Sequence, residues 1–401
     1  MALISLPSRH LRMQWAVPFR VYDAKGALML ASGTSIENEE RLQALRNKAL
    51  FVDDQEAAVW LAKAEESVQS LMLRDAPLQD IATAHWQGNP ASTTQQRNGS
   101  VVESWDRAMR LLSGALRDAE KDPGWLERLQ AAVGLGQQTA LRYPNEVLFL
   151  LIQHAGHATD HYSSHHAALC AVVCARVART LGWPEEDAQT LTLAAVTMNV
   201  SMTQLQDRLA TQKEPPSPEQ RVQIDTHSLR STTQLVAAGV KDPRWLKVVR
   251  LHHDRSLLLT PLAKLDAPSR MARLLGVVDR FTAKVSRRAT RAPMSPLAAA
   301  RDACVGPDGR PDELGAALLK TLGMYPPGSY VQLATGEVGV VLAGGEKANE
   351  PVVAALVGSG GMPLAEPVLR NTARTGRAVT AAVPVAQVRV RIHHEKLLEL
   401  L

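Results

Sequence analysis

Residues 160–182 read DHYSSHHAALCAVVCARVARTLG. The stretch opens on polar residues, continues in alanine, leucine, valine and cysteine, and stops at Gly182. Apolar residues at three- and four-residue steps, closed by a glycine suited to a left-handed cap, predict a long buried helix. The next stretch, PEEDAQTLTLAAVTMNV at 184–200, starts with proline and three acidic residues, as helix N-termini prefer. SWDRAMRLLSGALRDAE (104–120) and WLERLQAAVGLGQQTALR (125–142) carry the same period. From Val101 to about Tyr325 the pattern is helical, and the fold class expected is mainly α, a helical bundle.

Outside that span the period changes. Residues 15–36, WAVPFRVYDAKGALMLASGTSI, read as short strands, with DAKG as a hairpin turn and Gly33 as a second break. ENEERLQALRNKAL (37–50) reads as a short helix and FVDD (51–54) as a last strand, giving a small α+β N-terminal module. A charged helix to about Asp80 and a polar linker, WQGNPASTTQQRNGS, follow. After LGMYPPGS, the segment YVQLATGEVGVVLAG reads as strand, turn at Thr335–Gly336, strand; PVVAALVG and VPVAQVRVRI are further strand candidates. The expected organisation is an N-terminal module at 1–65, helices and linker at 66–140, the main helical domain at 141–325 and a β-rich C-terminal extension at 326–401.

Composition narrows the function classes. The chain has 401 residues, 45% hydrophobic, enough for two or three domains with ample core. Aromatics at 4% leave little for base-stacking platforms, so no nucleic-acid partner is expected. The net charge of +5 mildly favours anionic partners. No apolar run approaches ~20 residues, so no membrane span is expected. The start lacks a signal-peptide pattern, and the 3 cysteines form no disulfide framework, so a cytoplasmic location is expected. Cys170 and Cys174 lie four apart on a helical pattern; buried packing is favoured over a metal role.

Histidines are the conspicuous feature. His154, His157, His161 and His165 recur at steps of three, four and four, with His166 beside the last. On one helix the first four would form a stripe, and pairs at i, i+4 can hold a metal. A polar face or loop histidines is the plainer alternative, favoured for His154 and His157. Further along come DTHS, RLHHD and LLGVVDRF, each on its own predicted helix. Histidines from three helices and one aspartate can converge in a bundle core, where helical proteins build metal sites.

In this order the residues resemble the HD-GYP family of the HD phosphohydrolase superfamily, which are cyclic di-GMP phosphodiesterases. The family's Asp-x-Tyr-Thr-x-x-His opening matches Asp160, Tyr162, Ser163 and His166, with serine for threonine. Its Thr-His matches Thr226–His227, its paired histidines match His252–His253 (followed by Asp254 where glutamate is usual), and its Val-Ala-Asp matches Val277–Val278–Asp279. RATRAPMSP corresponds to the family's Arg-Pro-Tyr-Arg segment, with Arg288 and Arg291 in place, and YPPGSYVQLATGEVGVV resembles its usual tail. The resemblance covers roughly 145–342. It implies an HD-type bundle, a metal position formed by His227, His252 and His253, a neighbouring one served by His166 and Asp279, and nucleotide phosphates approached by Arg288 and Arg291.

Three departures fall on the catalytic centre. The His-Asp pair that names the family lands on Met198–Asn199, its following lysine lands on Met202, and RSLLLTPLAKLDAPSRM replaces the Gly-Tyr-Pro loop. An amide carries no charge to offset two cations, and a thioether is a poor ligand for iron or manganese. Two-metal hydrolysis needs both ions. No confident catalytic residue remains, and the expectation is an inactive or impaired regulator in cyclic di-GMP signalling, holding one divalent metal (iron, manganese or zinc) or none. Its expected partners are signalling proteins and cyclic di-GMP, with a homodimer left open. Two alternatives stand beside it: an active metal-dependent phosphohydrolase with a rearranged site, in which His161 and His165 are substitutes, and a purely structural helical scaffold.

Overall fold

The structure is a computed structural model that describes residues 3–6, 11, 13, 17, 19–31, 34–53, 100–117, 124–306, 309 and 311–401. The charged helix to Asp80, the linker at 86–99 and the break at Gly33 lie outside the described residues. The chain divides into two compact units, Met1–Gly99 and Ser100–Leu401.

In the first unit, strands β1 (Leu3–Leu6), β2 (Val21–Asp23), β3 (Leu28–Leu30) and β4 (Leu50–Asp53) form an antiparallel sheet in the order β1-β4-β2-β3, with helix α1 at Glu39–Arg46. The DAKG turn is as predicted. Asp23 accepts hydrogen bonds from the amides of Lys25 (2.8 Å) and Ala27 (2.9 Å), and Gly26 takes the left-handed φ of +80°. Asn38 caps α1 by accepting from the Arg41 amide. Val17, Phe19, Val21, Leu30, Ile36, Leu42, Leu45, Leu50 and Val52 form the core of this unit. Strand β1 has no counterpart in the sequence reading.

The second unit is mainly helical. Its helices are α2 (Val101–Arg117), α3 (Trp125–Arg142), α4 (Pro144–His157), α5 (Tyr162–Thr180), α6 (Glu185–Thr197), α7 (Thr203–Thr211), α8 (Pro218–Ala237), α9 (Pro243–Leu251), α10 (Ser256–Leu259), α11 (Ala267–Val285), α12 (Pro296–Ala303), α13 (Glu313–Leu322) and α14 (His394–Leu398). Helix α5 is buried almost all round by Ala167, Ala168, Leu169, Cys170, Ala171, Val173, Cys174, Val177 and Ala178, the pattern of a central helix. It packs against α4, α6 and α11, and ends as predicted at Gly182 (φ +69°), with Trp183 N–H donating to the Ala178 carbonyl. Several N-termini combine an oxygen-bearing cap with an early proline: Ser217 before α8, Asp242 before α9, Asp266 before α11 and Ser295 before α12. This mainly α arrangement is compatible with the HD-type bundle expected from the sequence.

The histidine run does not lie on one helix. Helix α4 ends at His157, and α5 begins after His161, whose φ of 48° is left-handed. The expected stripe is therefore broken, and the chain folds back so that the His154 and His165 rings stack with centroids 3.3 Å apart.

The C-terminal part is β-rich, as predicted. Strands β5 (Tyr330–Leu333), β6 (Val338–Ala343), β7 (Val352–Val357), β8 (Pro363–Asn371) and β9 (Val379–Val383) pair antiparallel in the order β8-β7-β6-β5-β9. VPVAQVRVRI is not a strand beyond Val383. Pro384 starts a short 3-10 turn at Val385–Gln387, and the strand on this flank is VTAAV just before it. Tyr330, Val340, Leu342, Ala354 and Leu356 belong to the same hydrophobic core as the helices. Gly328 makes the contact possible: it has φ +90°, and a Cβ there would lie 2.8 Å from Ile152 Cβ and 2.9 Å from the Phe149 carbonyl oxygen. Gln153 donates to the Gly328 carbonyl at 2.6 Å, and the Tyr330 hydroxyl lies 3.1 Å from Gln153 Oε1 and 3.3 Å from His157 Nε2. His157 thus acts as a docking residue for the sheet.

Candidate metal centre

His227 lies on α8, while His252 and His253 follow the end of α9. Their rings form a compact cluster, with centroids 5.1 Å (227–252), 4.9 Å (227–253) and 4.1 Å (252–253) apart. One ring nitrogen from each can be chosen so that all three lie within 4.8 Å of one another. The structure therefore brings together the three residues that the resemblance groups at one metal position. His227 and His252 are buried, and the His253 side chain is 45% exposed, so it forms the open side.

The hydrogen bonds fix what these rings can do. His227 Nδ1 lies 2.5 Å from the Ile224 carbonyl oxygen, and His252 Nδ1 lies 2.7 Å from that of Val249. A carbonyl only accepts, so each Nδ1 carries the proton and each Nε2 keeps a lone pair. Those two Nε2 atoms face each other at 3.2 Å. Two lone pairs at that distance repel unless a cation lies between them. Two nitrogens bound to tetrahedral zinc at ~2.05 Å would be roughly 3.4 Å apart. The backbone carbonyls are also the usual partners that orient metal-binding imidazoles. The donor set fits a divalent cation.

Burial reinforces this. It lowers the pKa of His252 to about 3, with His253 and His227 adding repulsion, and it lowers that of His227 as well. Both are neutral at neutral pH. His165 is likewise held down to about 3, by burial first and His154 second. Unfolded, these histidines take up a proton near the ordinary value of 6.5; folded, His252 and His165 do so only near 3. Between those limits the unfolded chain binds more protons, so stability is full above about pH 6.5 and falls as pH falls. In chelator, the melting temperature is expected to drop steadily from pH 7 to pH 5, each histidine contributing about 1 kcal/mol per pH unit. A melting temperature flat over that range would contradict the assigned neutral state.

His166 on α5 and Asp279 on α11 form the second cluster, with Nε2 and Oδ1 2.7 Å apart. Burial opposes charge on both. It is outweighed by their own pairing, which raises the His166 pKa and holds the Asp279 carboxyl well below the usual carboxylate range. Cys170 also lies against His166, but burial keeps its thiol protonated at neutral pH, so Asp279 carries the countercharge. The other carboxylate oxygen, Oδ2, lies 3.8 Å from His253 Nε2 and links the clusters. Cys170 Sγ is 3.7 Å from His166 Nε2. The sequence favours packing for this cysteine; its place four residues after His166 puts both side chains on one face of α5.

The turn after α6 lies beside His227. Met198 and Asn199 are buried after α6, Met202 is buried just beyond, and the buried Asn199 Oδ1 has no hydrogen-bond partner. Between them, the Ser201 hydroxyl donates to the His227 carbonyl (3.2 Å) and receives a hydrogen bond from Ser231 (3.0 Å), stitching this turn to α8. Asp254 accepts from the Ser256 amide at 2.9 Å and so organises the start of α10.

The cationic side chains at Lys284, Arg288 and Arg291 turn to separate partners. Arg288 donates to the Tyr162 hydroxyl at 2.9 Å and lies over its ring. That ring stacks on His166 with centroids 5.6 Å apart, so Arg288 flanks the second cluster. Arg291 donates to the Ala283 carbonyl, and Lys284 pairs with Asp302. No helix among the described residues is long and apolar enough to cross a membrane.

No protein-family model matches the chain, and no curated protein does. Among solved structures, Bd1817, a HDG"Y"P protein from Bdellovibrio bacteriovorus, is similar at a TM-score of 0.44, with 14% sequence identity over 80% of this chain and 99% of that one. At that distance the likeness assigns no residue a role; the assignments rest on the geometry of this chain.

Proposed function

We propose that this chain is a signalling protein built on a degenerate HD-GYP-like domain, which holds a divalent cation on His227, His252 and His253 and regulates by binding cyclic di-GMP or a protein partner without cleaving the nucleotide. The observation that carries this reading is the facing pair of Nε2 lone pairs on His227 and His252, each fixed by an Nδ1–H bond to a main-chain carbonyl. Three neutral imidazoles with one open side suit zinc or ferrous iron. When bound, the cation supplies a Lewis-acid centre. The chain's own residues hold it, orient it and leave the His253 side accessible.

Loss of turnover is inferred from Met198, Asn199 and Met202. The buried amide of Asn199 brings no negative charge, the two thioethers bring none, and no lysine stands at 202. Arg288 beside Tyr162 and Arg291 after it are proposed to meet the nucleotide phosphates through their planar forks.

The test is metal analysis together with chromatography of cyclic di-GMP after incubation with excess Mn²⁺ or Fe²⁺. The protein is expected to retain metal through purification, to lose one equivalent in His252→Ala, and to leave the nucleotide peak unchanged while calorimetry detects its binding. A linear dinucleotide product that disappears with chelator would replace this reading with that of an active phosphohydrolase. Unchanged metal content in His252→Ala would remove the three-histidine site.

A further inference from the structure

The cluster on the far side of Asp279 contains a donor that neither the histidine pattern nor the proposed function uses. His166 and Cys170 stand one turn apart on the same face of α5, and Asp279 reaches them from α11, which packs on α5. One atom from each of His166, Cys170 and Asp279 lies within 4.8 Å of the others, and among the described residues only this group and the three-histidine group are placed to hold a metal.

We infer that Cys170 is a metal ligand, and that His166 Nε2, Cys170 Sγ and Asp279 Oδ1 form a thiolate-containing divalent-cation position next to the three-histidine one. The Nε2–Sγ separation is 3.7 Å. A nitrogen at ~2.05 Å and a sulfur at ~2.3 Å from tetrahedral zinc are roughly 3.6 Å apart. The Nε2–Oδ1 separation is 2.7 Å, a hydrogen-bond length. Here the cation takes the place of the shared proton, and the two atoms move apart to roughly 3.3 Å. Loading releases two protons, one from Cys170 Sγ and the one held between His166 Nε2 and Asp279; no electron changes hands. Asp279 Oδ2, 3.8 Å from His253 Nε2, is left to face the neighbouring position, so one carboxylate joins both.

The sulfur also determines the metal. Thiolate favours zinc, cobalt or ferrous iron over manganese and magnesium, which prefer oxygen. It supplies a negative charge in a place where the turn at Met198–Asn199 supplies none. Cys174, one turn further along α5, belongs to neither group and is the natural control. The inference stands on a set of ligands separate from that of the proposed function.

Metal-free full-length protein titrated with Co²⁺ tests it. Two equivalents are expected, the cysteine-bound one announced by a near-ultraviolet thiolate-to-cobalt charge-transfer band. Cys170→Ser should abolish that band and one equivalent; Cys174→Ser should keep both. His252→Ala should lose the other equivalent and keep the band, so failure of this inference and failure of the three-histidine reading are told apart. Because Cys170 is fully buried and its variant can fail to fold, X-ray absorption at the zinc edge of the unaltered protein gives an independent readout: a sulfur neighbour at about 2.3 Å is expected. A zinc-loaded protein with only nitrogen and oxygen neighbours, or a charge-transfer band that survives Cys170→Ser, overturns it.

Discussion

Asp312→Ala is expected to destabilise the protein by about 3–5 kcal/mol, the cost of breaking a buried ion pair from one side. Asp312 and Arg273 are both almost completely buried, with Oδ2 and Nη2 2.8 Å apart. Arg273 also donates to the Thr260 carbonyl at 2.8 Å, so it ties the loop after α10 to α11. Asp312 has a second duty. Its Oδ1 accepts from the amides of Leu314 and Gly315, both at 2.9 Å, and so caps α13. Alanine removes the cap and strands the guanidinium in a place where Arg273 Nε already has no partner. Denaturant unfolding in chelator measures the loss. Asp312→Asn, which keeps an oxygen for the cap, should lose less, and Arg273→Met combined with Asp312→Ala should recover part of the deficit. A loss below about 1 kcal/mol for Asp312→Ala would mean the pair is dispensable.

Gly276→Ala is expected to cost about 3 kcal/mol and to weaken cation binding at the three-histidine position tenfold or more, in the range of changes that misorient a ligand. Gly276 lies on α11, where a Cβ would stand 2.3 Å from the His252 carbonyl oxygen. That atom is main chain, so relief requires moving the end of α9, which carries both His252 and His253. Asp279 lies three residues further along the same helix and would move with it. Denaturant unfolding and competitive zinc titration read the two effects separately. Unchanged affinity despite lost stability would show that the histidine pair is positioned by α8 rather than by α11.

Much of this was legible in the sequence because its physical signals are local. The proline-and-acid start at 184–187, the glycine at 182 and the DAKG turn each act within a few residues, and each occurs where expected. The three-histidine cluster was legible only through the resemblance, since its members come from sites 25 residues apart in sequence. Strand β8 was missed because Pro363 and Pro367 argue against a strand; it is tolerated at the sheet edge, where one side needs no amide donors. VPVAQVRVRI misled in the opposite direction: its alternation is genuine, but Pro384 ends the pairing, and Val388 and Ile392 pack on the core without strand partners. Cys170 looked like core because it is core. Only the position of Asp279, on a helix 113 residues away from His166, gives it a second meaning.

The left-handed residue His161 also bears on how this region tolerates changes in length. A residue inserted into one continuous helix rotates everything beyond it by about 100°. Between His157 and Tyr162 the helical ladder is interrupted, so the rotational phase of α4, which carries the sheet, and that of α5, which carries His166 and Cys170, are set independently. A change of length at Ala158–Thr159 therefore falls in the bend, where it has to preserve the stacked ring pair of His154 and His165, the hydrogen bond between His154 Nε2 and the Asp160 carbonyl, and the packing of α4 on α5.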